Sequence, residues 1–325
     1  MSGKWKILAV VTIAAWMVFA SQPLMAAEFP AKGKVITQIV PFGSGGGMDI
    51  TARAVQPWLE KELGVPMPII NKPGGGGQIG FTEFVKTAKP DGQTLVFVLL
   101  PAVPSNYLDP KRKAVFSRKD FKLVANIAID PVQIMVMPGS PYKTLKDLVA
   151  AAKANPGKIK VTSAGLMTPA HVAARRLELE TGIKFAHMFY EQQGEQRGAL
   201  LGGHADAEFN PVSETAGAVI SGQLRSLGIC DDKPSKFLPN TPTVVSQGYK
   251  ATMASARGIA LPAGTPDSIV SKMASAVAKV LAVPDNQKAL DKLMLSTRFM
   301  SGKEYDEYWS DMEKTVKAVL DASEK

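Results

Sequence analysis

Between residues 35 and 230, short apolar runs alternate with stretches of helical periodicity, and no other feature restricts the fold as tightly. Strands are expected at 35–40, 68–71, 95–100, 121–129, 158–162, 184–190, 205–209 and 224–230. Helices are expected at 48–63, 79–88, 144–155, 168–181, 195–202 and 212–221. Repeated β-α units call for an α/β architecture: mainly parallel sheets with helices on both faces. The wholly apolar run Leu95 to Leu100 suits a central strand buried on both sides. Residues 101–119 are rich in Pro and charge and read as a loop. From about residue 255 the alternation stops. A strand at 256–261, a helix from Thr265-Pro266-Asp267 to about 282, another from Pro284 and a last one opened by Ser301 and Glu304 remain. That is too few strands for a third sheet, so the tail is expected to return to the first domain. A chain of 325 residues suits two domains. The expected division is one lobe of 28–130 plus 255–325, a second of 131–254, and a cleft between them.

The N-terminus stands outside this scheme. Lys4 and Lys6 precede an apolar run from Ile7 to Ala20, and Met25-Ala26-Ala27 offers small residues for cleavage after Ala26 or Ala27. Residues 1–27 read as a secretory signal peptide, the run being short for a membrane span. The expected location is therefore periplasmic. Loss of Lys4 and Lys6 lowers the formal charge from +9 to +7. The excess is dispersed, apart from Lys111-Arg112-Lys113 with Arg118 and Lys119 nearby, which reads as a solvated loop and not a nucleic-acid site. Cys230 is the single cysteine, in an apolar strand, so no internal disulfide forms and the thiol is expected to be buried and inert.

Two glycine clusters carry the functional question. Val35 to Arg53 reads as a strand closed by Pro41, a turn containing Gly43, Gly45, Gly46 and Gly47, and the start of a helix. Free N–H groups and the positive helix end make such a junction an anion site. It is no P-loop, because Met48-Asp49 stands where Lys-Ser/Thr is needed. Gly75-x-Gly77-x-x-Gly80 matches a dinucleotide fingerprint, but the ribose-binding acid about 20 residues on is absent. No G-x-S-x-G elbow occurs. His171, His187 and His204 lack metal-ligand spacing. Asp206 and Glu208 alternate on a strand and read as sheet-end hydrogen-bonding groups. Neither a nucleophile, a metal cage nor a cofactor signature emerges, so no cofactor is expected, and the pattern fits binding without turnover.

Ordered motifs then carry a resemblance. They are Val40-Pro41-Phe42-Gly43-Ser44-Gly45-Gly46-Gly47-Met48-Asp49 with Ala52-Arg53, and Asn71 to Gly80. Pro90-Asp91-Gly92-Gln93-Thr94-Leu95 and Ser163 through Thr168-Pro169-Ala170-His171 follow. The last are Gly202-Gly203-His204-Ala205-Asp206, Pro239-Asn240-Thr241-Pro242-Thr243 and Pro262-Ala263-Gly264-Thr265-Pro266. Over nearly the whole exported length the chain resembles the solute-binding proteins of tripartite tricarboxylate transporters, the Bug/TctC family. The resemblance implies a two-lobed periplasmic binding fold of the type II-like kind that closes over a small organic acid, such as a C4 acid, a tricarboxylate, an acidic amino acid or an aromatic acid. It also implies permease subunits as membrane partners, and the receptor itself is expected to be a monomer. Carried over, the grips are Phe42, Gly43, Ser44, Gly45 and Gly46 in one lobe, and Ser163, Ala164, Gly165, Met167 and Thr168 in the other. Asp49, His171, Tyr190 and Asp206 are expected to support them. Met167 stands where the family usually has a second glycine, making this loop bulkier and more apolar, and with Phe42 it hints at a partly apolar or aromatic acid. Phe189-Tyr190-Glu191-Gln192 departs from the family's Pro-Tyr-Lys-Gly, with an acid where a base is usual. Ala256 and Arg257 replace an aromatic pair. Arg257 is a candidate bidentate partner for a carboxylate, its alternative being a solvent-facing arginine, and Asn210 is a further cleft candidate. A ligand-presenting sensor is the alternative use of the same lobes, and an enzyme on this scaffold is a further one.

Overall fold

The computed structural model describes residues 29–31, 33–190 and 193–323. The expected signal peptide and the departure at Glu191-Gln192 lie outside the described residues. In chain order the elements are β1 (Thr37–Val40), α1 (Gly47–Leu63), β2 (Ile69–Asn71), α2 (Gln78–Thr87), β3 (Thr94–Leu100), α3 (Ala102–Leu108) and β4 (Phe121–Val136). Then come α4 (Leu145–Ala154), β5 (Lys160–Ser163), α5 (Pro169–Thr181), β6 (Ala186–Phe189), α6 (Gln193–Leu201), β7 (Ala207–Pro211), α7 (Val212–Ile220) and β8 (Arg225–Ile229). The tail supplies β9 (Ala254–Pro262), α8 (Asp267–Ala282), α9 (Pro284–Lys292), β10 (Thr297–Ser301) and α10 (Gly302–Ser323).

The strand order is β2-β1-β3-β9-β4-β7-β5-β6, with β8 and β10 also on β4. Pairing is mixed. β2-β1-β3 and β7-β5-β6 are the two parallel triplets that the β-α alternation demands. Between them β9 and β4 run antiparallel to their neighbours. β4 is the long crossing strand: Phe121 to Pro131 pairs with β9, and Val132 onward pairs with β7 and β8.

Period-two alternation explains the core. On β3, Leu95, Phe97 and Leu99 join one cluster with α1, α8 and α9. Val96, Val98 and Leu100 face the other way, toward Phe81, Phe84, Tyr305 and Trp309. Both faces are covered, so the run is apolar at every position. A separate cluster gathers Val132, Ile134, Val161, Leu177 and Phe209. The last helix serves both halves. Its Tyr305 and Trp309 bury against the first half, and its Val316 and Val319 against the second. At 22 residues it is about 33 Å long, enough to reach across. Cys230 is 2% exposed, and burial pushes its thiol up to about 12. Among the described residues no helix is long and apolar enough to cross a membrane.

Two expectations are corrected. Residues 101–119 are not a loop throughout: α3 occupies 102–108, and two short 3-10 turns occupy Pro110–Arg112 and Arg118–Asp120. The helix forms because α10 gives its apolar side something to bury against. Trp309 Nε1 donates to the Tyr107 hydroxyl at 2.8 Å, and Val103 packs in the same cluster as Trp309. β10 was not expected either; it takes its place by pairing with β4.

α10 lies very close to β9. A Cβ on Gly258 would sit 2.3 Å from the Tyr305 hydroxyl oxygen and 2.6 Å from the Ala125 carbonyl oxygen. Gly258→Ala should therefore cost about 1–3 kcal/mol by overpacking. A urea unfolding curve checks this, and an unchanged midpoint would contradict the close approach.

Candidate functional site

The carboxyl ends of parallel strands are where α/β sheets present loops to ligands. Here β1, β2 and β3 deliver residues 41–46, 72–77 and α3 to one such edge. β5, β6 and β7 deliver residues 163–168, Tyr190 and the start of α7 to another. The two edges touch. Arg112 Nη2 donates to the Leu166 carbonyl at 3.1 Å, and Ser105 Oγ lies 3.3 Å from the Met167 carbonyl.

The first loop is shaped by one carboxylate. Gly45 has φ +79°, which a residue without a Cβ adopts cheaply. Its amide donates to Asp49 Oδ2 at 2.9 Å, and Ser44 Oγ approaches the same oxygen at 3.3 Å. Arg53 Nε donates to Oδ2 at 2.8 Å. Asn71 Nδ2 bridges Asp49 Oδ1, at 2.9 Å, to the Phe42 carbonyl, at 3.1 Å. Burial pushes the Asp49 carboxyl up, but these hydrogen bonds and the Arg53 charge hold it below its ordinary value. Asp49 thus buttresses the loop and leaves the helix start open. Gly46 occupies the N-cap of α1 without a side-chain cap, and among the described residues the amides of Ser44, Gly47 and Met48 have no partner. Gly43, Ser44 and Gly45 are exposed.

The second loop repeats the device with other residues. Thr168 is the N-cap of α5, yet its hydroxyl donates to the Gly165 carbonyl at 2.9 Å and does not cap the helix. Contrast α4, where Thr144 and Asp147 form a complete capping box. Gly165 turns at φ +97° and Met167 at φ +59°, the second a conformation that favours glycine. The Met167 amide donates to His171 Nδ1 at 3.0 Å, which puts the ring proton on Nε2. Burial, then the neighbouring His187 and Arg175, lowers His171 to about 3, so it braces the loop as a neutral ring. The Tyr190 amide reaches the Ser163 carbonyl at 3.3 Å. Ser163 Oγ is buried and has no hydrogen-bond partner among the described residues. An orphaned buried hydroxyl costs about 1–3 kcal/mol, which a bound guest would relieve.

The sequence candidates separate accordingly. Residues 42–46 with Asp49 lie at the carboxyl end of β1, and residues 163–168 with His171 and Tyr190 at the carboxyl ends of β5 and β6. Met167 has its side chain in the core and both backbone polar groups engaged. Phe42 packs edge-on to Phe81 beneath the glycine turn. Met167 is thus withdrawn from the apolar wall expected of it, while Phe42 stays half-buried. Asp206 sits at the opposite edge, where its Oδ2 accepts from the Lys160 amide at 2.8 Å. Asn210 is fully buried, its Nδ2 donating to Gln196 at 3.1 Å and to Glu208 at 2.9 Å.

Arg257 is neither solvent-facing nor open to a ligand. It is 1% exposed at the point where β4 and β9 cross between the halves. Nη2 meets Asp130 at 3.1 Å and Glu214 at 2.9 Å, Nη1 lies 3.3 Å from Thr51 Oγ1 and 3.4 Å from Ser213 Oγ, and Nε donates to Ser255 Oγ at 3.2 Å. The cluster presses on α1. A Cβ on Gly47 would sit 2.2 Å from Glu214 Oε1 and 2.5 Å from Arg257 Nη2, so any larger residue would displace this ion pair.

Sequence reasoning missed Asn71, Ser105, Arg112, Asp130 and Glu214. Asn71 could have been found, as a hydrogen-bonding residue ending a strand at a glycine turn. Arg112, read as solvated, is instead tied to Gly75, Asn106 and Leu166. Among the described residues no three His, Cys, Asp or Glu side chains gather as a metal site.

Comparison with known proteins bears on family and fold. A family model described as tripartite tricarboxylate transporter family receptor matches residues 51–324. A Cupriavidus necator protein, the UPF0065 protein in the gbd 5' region, is 30% identical over 322 residues, covering 97% of this chain and 94% of its own. A solved periplasmic transporter is 29% identical with a TM-score of 0.79, covering 92% of this chain and 98% of its own. MatC of Rhodopseudomonas palustris, solved with bound malate, shares the fold at 23% identity and a TM-score of 0.77, covering 89% of this chain and 99% of its own.

His171 gives a pH test. Its folded value lies below the unfolded one, so the stability it contributes is present above about pH 6.5 and is lost as pH falls toward about 3. His171→Gln should be less stable than the parent at neutral pH, with the gap closing as pH falls to about 4. Denaturant curves across that range measure it, and a gap independent of pH would contradict the neutral brace.

Proposed function

This chain belongs to the tripartite tricarboxylate transporter receptor family, and we propose that it captures a small organic dicarboxylate between its two loops and hands it to the membrane subunits of such a transporter. It has the α/β periplasmic binding protein fold, and it is a solute-binding receptor, not an enzyme. The proposed lobes are residues 28–130 with 255–325, and residues 131–254, with the crossing strands β4 and β9 as the hinge between them.

One observation carries the ligand class. Two helix starts, α1 and α5, stand at the carboxyl edges of the two parallel triplets with their side-chain caps withheld, and the second adds a buried hydroxyl without a partner among the described residues. Each helix start offers free amides and a positive dipole end to one carboxylate. Two such sites suit a molecule with an acid group at either end. The malate of the MatC structure is a dicarboxylate of this kind. Met167, buried in the core, supplies no apolar wall for an aromatic acid. Closure would exclude water and strengthen the amide–carboxylate bonds.

Calorimetric titration with succinate, malate, adipate, tricarballylate and benzoate tests the reading. At least one aliphatic dicarboxylate should bind more tightly than benzoate. Ser163→Ala should weaken that binding by roughly tenfold, the value of one buried hydrogen bond. Gly45→Val should abolish it without unfolding the protein, because the position is exposed with open space around it but has a positive φ. Preference for benzoate, or undiminished affinity in both variants, would refute the proposal.

A further inference from the structure

Glu214 lies on α7, in the half opposite α1, and its carboxyl packs on Gly47, the first residue of α1. Only one of its oxygens is engaged. Oε1 accepts from Arg257 Nη2 at 2.9 Å, while Oε2 has no partner among the described residues and the side chain is 14% exposed. The carboxyl therefore stands against Gly47, at the start of α1.

The charges around Glu214 are these. From β9 comes Arg257, from β4 Asp130, from β7 Glu208 and from α6 Arg197. Arg197 is bound to Glu208, with Nε 2.9 Å and Nη2 3.2 Å from its two oxygens. Asp130 accepts from Arg257 and from both the amide and hydroxyl of Ser213. From α1 come the positive helix end and the Thr51 hydroxyl, while Asp49 on the same turn is occupied by Gly45, Asn71 and Arg53. Arg257 faces two carboxyls, Asp130 and Glu214, both pushed up by burial, and with both ionised the cluster carries one negative charge in excess. A ligand carboxylate held by the loop-one amides would meet that charge in a dry crevice, where repulsion is barely screened. A protonated Glu214 removes the repulsion and supplies an O–H donor on Oε2, a strong partner for a carboxylate.

We infer that Glu214 is a specificity-determining residue of the cleft: it must carry a proton for the first loop to hold a carboxylate, so the receptor takes up its anion together with one proton. This rests on the reading of the cleft as a dicarboxylate site. The surroundings already favour the neutral form. Burial pushes the Glu214 carboxyl up to about 7, with Arg257 opposing and Asp130 and Glu208 reinforcing. A bound anion raises it further, so affinity is greatest below that value and falls as pH rises through it.

The test is titration calorimetry of the whole exported chain with succinate and with malate, from about pH 6.5 to about pH 9, where both probes are fully ionised. Each titration is run in two buffers of different ionisation enthalpy. The wild type should lose up to about tenfold in affinity per pH unit above about 7 and take up close to one proton per ligand at alkaline pH. Glu214→Gln keeps the shape and the acceptor for Arg257. It should bind with no dependence on pH, take up no proton, and exceed the wild type at about pH 9. An unaltered pH slope in the variant overturns the inference, as does a variant weaker than the wild type at every pH, which would mark the ionised carboxylate as the recognising form. Wild-type binding that ignores pH, but is still weakened by Ser163→Ala, overturns this inference alone. If neither probe binds either protein at any pH, the dicarboxylate reading fails and the inference fails with it.

Discussion

The architecture of the cleft depends on a carboxylate that is spent on its own chain. Asp49 is 1% exposed and satisfies Gly45, Ser44, Asn71 and Arg53. Had it folded back to cap α1, it would have consumed the amides that a guest needs. Instead it holds the loop from the side and leaves the helix start unsatisfied. Unsatisfied backbone donors are costly when buried, so they persist where water or a ligand can reach them. The second loop solves the same problem differently. Thr168 directs its hydroxyl to Gly165, and His171 secures Met167 from below. In both loops rigidity comes from side chains behind the turn, and the binding capacity is main-chain.

A second constraint sits at the crossing strands. One buried guanidinium gathers Asp130 from β4, Ser255 from its own strand, Thr51 from α1, and Ser213 and Glu214 from α7. Buried charge is tolerated only when it is paired and hydrogen-bonded, and Arg257 is satisfied from both halves at once. Any rotation of one half against the other must rearrange these contacts. Because the same cluster abuts Gly47, the crossing strands and the start of α1 are packed together. Arg112 makes a second tie, joining the second glycine turn to the Leu166 carbonyl.

What could be read from the residues was whatever depends on neighbours in sequence. The β-α alternation and the glycine turn before Asp49 are local devices, and each appears at its expected place. The remainder depended on distant partners. The helix at 102–108 looks like a loop because its apolar residues are interrupted by Pro104 and polar groups, and its burial is supplied by Trp309 and Glu313 at the far end of the chain. Arg257 stood out as an arginine where the family has an aromatic residue, but nothing adjacent announces Asp130 or Glu214 as its partners. Met167 was legible as a departure from glycine, though not as a buried one: the chain bears the positive φ and places the side chain in the core. The antiparallel entry of β9 and β4 follows from the tail returning, which alternation alone does not specify.

The central claim is that main-chain donors of both loops hold one guest at once. Amide chemical shifts during a titration with a dicarboxylate observe those donors directly. The account predicts that the resonances of Ser44 and Gly47 in one half, and of Ala164 and Thr168 in the other, move together and saturate with a single dissociation constant. Shifts confined to one loop, or two loops titrating with different constants, would contradict it.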